Sequence, residues 1–141
     1  QQNTLYGAVS MTTILIADDR RDTSECLEAL LQKRGIVVET AENGCEVLDK
    51  IARLQVDLIV MDMNMPEMDG CQATMSVKSN PKTQHIPVII CTAHPMPGDE
   101  DRAKASGCDG FLEKPIEIDV LMSMIDQLLR ADPALNPLEA A

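Results

Sequence analysis

The sequence predicts an α/β domain built on a five-stranded parallel sheet with helices on both faces. Three observations carry that expectation. Short apolar or β-branched runs alternate with segments of helical periodicity along most of the 141 residues. The third run, residues 56–61, is apolar at nearly every position, as a central parallel strand covered on both faces should be. Two of the runs close on carboxylates, Asp18-Asp19 and Asp62, at the strand tips where open sheets of this kind bind ligands.

The elements follow in order. Residues 12–17 form a β-branched run that reads as the first strand. Over residues 23–34, Leu27, Leu30, Leu31 and Arg34 recur at helical spacing, and Gly35 ends the helix. Residues 36–40 read as the second strand, and residues 44–54 place Val47, Leu48, Ile51 and Leu54 on one helical face. After the third strand a turn spans residues 66–70, followed by a weaker helix over 71–79 that packs through Ala73, Thr74 and Val77. The fourth strand covers residues 86–91, with Pro87 near its start, where a missing donor costs least. A short charged helix over 99–106 stops at Gly107, residues 110–113 give the fifth strand, and Leu121, Ile125, Leu128 and Leu129 line a final helix. Right-handed crossovers then make 2-1-3-4-5, the flavodoxin-like order, the expected strand order.

The ends read differently. Residues 1–10 are polar, without pattern, and do not begin with Met, as expected of a flexible remnant or a linker from a longer protein. Residues 131–141 hold two prolines and no packable face, as expected of a tail. The domain is therefore expected over residues 11–130.

Composition narrows the function. One Tyr, one Phe and no Trp leave an aliphatic, Met-rich core and no aromatic platform for stacking bases. A net charge of -11 disfavours direct binding to a nucleic-acid backbone. No apolar run approaches the ~20 residues of a membrane span, and no signal peptide is visible. The five cysteines (Cys26, Cys45, Cys71, Cys91, Cys108) include no Cys-x-x-Cys pair. They are expected as small buried hydrophobes in a reducing cytoplasm.

In the expected sheet, strands one, three, four and five deliver Asp18-Asp19, Asp62, Thr92 and Lys114 to one edge. Neighbouring carboxylates repel unless a cation holds them, and Mg²⁺ prefers oxygen ligands while keeping several waters. Asp19 and Asp62 suit direct ligation, Asp18 direct or water-mediated ligation, and the Asn64 backbone carbonyl an additional ligand. Asp62 can also attack phosphorus to give an acyl phosphate. Lys114 and Thr92 would then hold phosphoryl oxygens, and loss of the Thr92 hydrogen bond would give a two-state loop. Singly, each residue reads as a turn former, helix cap or strand end. Four strand ends carrying the required groups together outweigh those readings.

These residues resemble those of the response-regulator receiver domains of two-component systems, over residues 11–130. The motifs are Asp18-Asp19, Met61-Asp62-Met63-Asn64-Met65-Pro66-Glu67-Met68-Asp69-Gly70, Thr92-Ala93 and Lys114-Pro115. Within that family, residues 85–116 look most like single-domain regulators of the DivK type and receivers of hybrid kinases. The resemblance implies that Asp62 accepts a phosphoryl group from a phosphohistidine on a histidine kinase or phosphotransfer protein. It implies Mg²⁺ on Asp19, Asp62 and the Asn64 carbonyl, helped by Asp18, and phosphate contacts from Thr92 and Lys114. It further implies a cis Lys114–Pro115 bond and a switch formed by Thr92 and Phe111.

Phe111 stands where the family often has Tyr, so readout through a hydroxyl is not expected. His94 stands where the family varies the access of attacking water. Output is expected through an unknown downstream protein, since the residues beyond Arg130 are too few for a DNA-binding module. One alternative is a receiver excised from a hybrid histidine kinase. Another is a Mg²⁺-dependent aspartyl-phosphate phosphatase, disfavoured because Asn64 replaces the acid that would protonate a leaving group. A pseudo-receiver is disfavoured by the intact acid, threonine and lysine set.

Overall fold

A computed structural model of the chain describes residues 12–130. The expected N-terminal segment, residues 1–10, and the expected tail, residues 131–141, lie outside the described residues. Ten elements alternate without exception: β1 (Thr13–Ala17), α1 (Arg21–Gln32), β2 (Val37–Ala41), α2 (Gly44–Arg53), β3 (Leu58–Asp62), α3 (Gly70–Ser79), β4 (Val88–Thr92), α4 (Asp99–Ala105), β5 (Gly110–Glu113) and α5 (Ile118–Arg130). All strand pairs are parallel, in the order β2-β1-β3-β4-β5. The fold class and strand order expected from the sequence are those observed.

Side-chain alternation along the strands divides the core in two. Ile14 and Ile16, Leu58 and Val60, and Ile89 and Cys91 face Leu27 and Leu31 of α1 and Leu121 and Ile125 of α5. Leu15 and Ala17, Ile59 and Met61, and Val88 and Ile90 face Val47 and Ile51 of α2, Ala73 and Val77 of α3, and Ala103 of α4. Each large aliphatic side chain so buried contributes about 1.5–3 kcal/mol relative to exposure. Every residue of β3 and β4 is buried, which is why those strands read as unbroken apolar runs.

Local chemistry sets the boundaries. α1 starts two residues earlier than periodicity suggests, because the Asp18 carboxylate accepts the Arg20 N–H at 2.8 Å and turns the chain directly out of β1. At its other end Gly35, at φ 81°, donates to Gln32 O and Ile36 donates to Leu31 O, the paired bonds of a Schellman closure. β3 runs from Leu58 to Asp62 rather than over 56–61, since the Thr13 N–H goes to the Asp57 side-chain carboxylate rather than to a backbone carbonyl. β4 likewise begins after Pro87, whose carbonyl accepts from Ile59.

The α3 start is fixed by a capping box. Asp69 accepts the Gln72 N–H at 2.8 Å, while the Gln72 side chain accepts the Asp69 N–H at 3.0 Å. The cysteines correct one expectation. Cys71 and Cys91 are buried and Cys108 is half-buried, but Cys26 and Cys45 are exposed. Both occupy outward positions on helices whose apolar stripes run through Leu27 and Val47.

Candidate functional site

The sheet register decides which sequence-distant groups meet. Asp18 and Asp19 follow β1, Asp62 ends β3, Thr92 ends β4 and Lys114 follows β5. Asp18 N–H donates to Ala41 O, Met63 N–H to Cys91 O at 2.7 Å, and Lys114 N–H to Thr92 O at 2.8 Å, so the chain stays pinned just past each strand. One ligand oxygen from each of Asp18, Asp19 and Asp62 lies within 4.8 Å of the others. Asp18 is 5% exposed, Asp62 9%, and Asp19 faces solvent.

Lys114 is the cation paired into this acidic edge among the described residues. The Lys114 Nζ donates to Asp18 Oδ2 at 2.6 Å and stands 3.5 Å from Asp62 Oδ1. Burial works against the ammonium charge, but the Asp18 hydrogen bond and the Asp62 carboxylate outweigh it, and the Lys114 pKa lies above the ordinary lysine value. Burial raises the Asp62 pKa, and the Asp18 charge pushes the same way. Lys114 and a hydrogen bond from the Asn64 backbone N–H act in opposition without cancelling the rise. The Lys114–Pro115 peptide bond is cis.

Thr92 is fully buried, and its Oγ1 has no hydrogen-bond partner among the described residues. A buried hydroxyl left so costs about 1–3 kcal/mol. Buried hydroxyls in folded proteins nearly always have a partner, from protein, ordered water or a bound group. Phe111, half-buried, packs against the core cluster of α2, α3 and α4. Asn64 and His94 are exposed.

The structure also reveals a contact that sequence reasoning passed over. A Cβ on Gly70 would lie 2.3 Å from the Asp62 carbonyl oxygen and 3.0 Å from the Met63 Cα. α3 is thus pressed against the peptide that carries Asp62, and the Gly70 N–H donates to Met63 O at 2.9 Å. The Asp69-x-x-Gln72 pattern signals that helix start in the sequence; nothing local signals the close approach.

A doubly wound parallel sheet that gathers three carboxylates, Lys114 and the Thr92 hydroxyl at its C-terminal edge matches the class expected from the sequence, a receiver-type signalling module. The comparisons are specific. The model of the response regulator receiver domain family matches residues 14–126, and the chain belongs to that family. The polar-differentiation response regulator DivK of Brucella anthropi is 32% identical over 117 residues, 83% of this chain and 95% of the relative.

Among solved structures, the signal receiver domain of a signal transduction histidine kinase from Syntrophus aciditrophicus is 35% identical. It superposes with a TM-score of 0.81, covering 86% of this chain and 92% of its own. The chemotaxis protein CheY4 of Vibrio cholerae is 30% identical with a TM-score of 0.79, covering 85% of this chain and 100% of its own. The chain is homologous to DivK and CheY-type regulators, and its function is that of a receiver-type signalling switch; nothing supports the phosphatase alternative.

Proposed function

We propose that Asp62 is the phosphoacceptor of this switch and takes its phosphoryl group from a phosphohistidine on a histidine kinase or phosphotransfer protein. The observation that carries the reading is the orphaned Thr92 Oγ1, buried at the same sheet edge as a nearly buried carboxylate and a lysine. An Asp62 oxygen attacks phosphorus as the P–N bond to the donor imidazole breaks; the electron pair stays on nitrogen, which takes a proton from solvent. Thr92 donates to one phosphoryl oxygen. Lys114, already between Asp18 and Asp62, holds another. The chain then acts as switch and phosphoacceptor, with self-phosphorylation from small donors and slow self-dephosphorylation as its only chemistry.

Mg²⁺ fits the donor set. Three clustered carboxylates meet the Lys114 ammonium, and hard oxygen ligands suit the ion. Asp18, Asp19, Asp62 and the Asn64 carbonyl would hold it, and it would neutralise carboxylate and phosphoryl oxygens.

Engagement of the Thr92 hydroxyl would draw the β4–α4 loop inward and open space for Phe111, so the state of Asp62 would be read by a downstream protein through contact. Phe111 signals by position, having no hydroxyl. Residues 11–130 constitute the receiver unit in this reading. No helix among the described residues is long and apolar enough to cross a membrane, and the cytoplasm, where histidine kinases present their phosphohistidine, is the proposed compartment. A receiver detached from a hybrid kinase is a second reading, favoured by the 35% identical receiver of a histidine kinase.

The test is incubation with a small phosphodonor and Mg²⁺, read by intact mass. Wild type should gain one phosphoryl group and Asp62→Asn none. Absence of the gain in wild type, or equal gain in the variant, overturns the assignment.

A further inference from the structure

Beside the acidic edge lies a concavity of about 640 Å³. Its floor and walls are apolar: Cys26, Leu27 and Leu30 of α1 on one side, Ala93, Pro115 and Ile116 on the other. Its polar lining is Arg20, Thr23, His94 and Lys114, together with Asp22, exposed and 3.6 Å from Arg20. The volume falls within the range that holds a small organic ligand, ~300–1,000 Å³. An apolar wall with cations at one end suits an anion that carries an apolar body.

The cavity continues into the site. Thr23, Leu27, Lys114 and Ile116 line both it and a narrow cleft that reaches Asp18 and Asp62. Lys114 therefore stands between the two, 3.5 Å from the Asp62 carboxylate. A molecule with its apolar part on Leu30 and Ile116 would present its anionic end to Lys114 and Asp62.

We infer that this cavity is an acyl-group subsite, through which the chain selects low-molecular-weight acyl phosphates with aliphatic acyl groups longer than acetyl as direct phosphodonors. The inference rests on Asp62 being the phosphoacceptor. An Asp62 oxygen forms a bond to phosphorus, and the bond from phosphorus to the acyl oxygen breaks. The electron pair stays on that oxygen, so an acyl phosphate and an aspartate become an aspartyl phosphate and a free carboxylate. Charge balances and no proton is needed. Arg20 meets the departing carboxylate while the chain carbons remain on the apolar wall.

Acetyl, butyryl and hexanoyl phosphates test this, because their leaving groups have nearly the same basicity. Purified protein with Mg²⁺ and no partner is followed by intact mass, and kcat/KM is taken for each donor. Complete burial of a methylene gives about fourfold and half-burial about twofold, so butyryl phosphate should exceed acetyl by about fourfold and hexanoyl by about tenfold or more.

Cys26→Glu and Leu30→Glu place a charge on the wall at an exposed and a half-exposed position, and each should bring the hexanoyl-to-acetyl ratio toward one. A ratio near one in wild type overturns the subsite and leaves the phosphoacceptor intact, provided acetyl phosphate still labels wild type and not Asp62→Asn. A high ratio that survives both substitutions also overturns the subsite. Failure of all three donors to label wild type removes the phosphoacceptor reading itself, and the inference with it.

Discussion

Replacing Asp62 by Asn should stabilise the protein when no divalent cation is present. The Asp62 carboxylate lies within 4.8 Å of oxygens of Asp18 and Asp19, and 3.5 Å from Lys114 Nζ. At an effective dielectric of ~20, Asp18 contributes about 3.5 kcal/mol of repulsion, solvent-exposed Asp19 about half as much, and Lys114 returns about 4.7 kcal/mol. Charge terms thus nearly cancel, and desolvation decides. Full burial of an ion costs several kcal/mol. Asp62 is 9% exposed and keeps the Asn64 N–H and Lys114, so about 1–2 kcal/mol survives as a penalty on the charged form. Burial as the largest cause of the raised Asp62 pKa agrees with that sign.

Urea denaturation in EDTA at pH 7 should therefore place Asp62→Asn about 1–2 kcal/mol above wild type, or about 4–8 °C in Tm. The pH dependence follows from the raised pKa. The folded protein takes up a proton on Asp62 at higher pH than the unfolded chain, so the penalty is complete above the folded pKa. It disappears as pH falls toward the ordinary carboxylate value of about 4. The advantage of Asn should narrow over that window, and millimolar Mg²⁺ at pH 7 should narrow it too by stabilising wild type more than the variant. An Asn variant no more stable than wild type in EDTA refutes the electrostatic account of this edge.

Three further outcomes are expected. Thr92→Val removes a buried, unpartnered hydroxyl and should raise unfolding free energy by about 1 kcal/mol in the unphosphorylated protein, measured by urea melts, while weakening the structural response to phosphorylation seen in amide chemical shifts. Gly70→Ala puts a methyl 2.3 Å from the Asp62 carbonyl oxygen, so despite the better helix propensity of Ala it should lose about 2–3 kcal/mol. Equal stability would show that the α3 start can move away freely. With a thiol reagent at neutral pH, Cys26 and Cys45 should react first and Cys108 more slowly, with Cys71 and Cys91 reacting only on unfolding. Burial pushes the Cys91 thiol pKa up to about 12, so rapid labelling there would contradict its place in the core.

Much of this protein is legible along the chain because its signals are local. Alternating apolar runs and helical stripes give the ten elements, and crossover handedness orders the strands. Asp18-Asp19, Asp62, Thr92 and Lys114 can be placed at one edge since each follows or ends a strand. Boundaries drift by two residues where a side chain such as Asp18 or Asp57 bonds across to backbone, which periodicity does not encode.

What the tertiary structure alone decides is which of those groups pair and what they leave unpaired. Lys114 bonds Asp18 more closely than Asp62, across 96 positions of sequence, because the register of β5 on β4 and β3 on β1 sets where its ammonium lands. Thr92 is fully buried by packing, and no acceptor for its hydroxyl lies among the described residues. The Gly70 approach and the cavity walled by α1 and the segment after β5 arise in the same way. Residue type and spacing determine the chemistry a strand end can offer. Distances and solvent access come from how the sheet and helices close, and these decide how the offered groups are used.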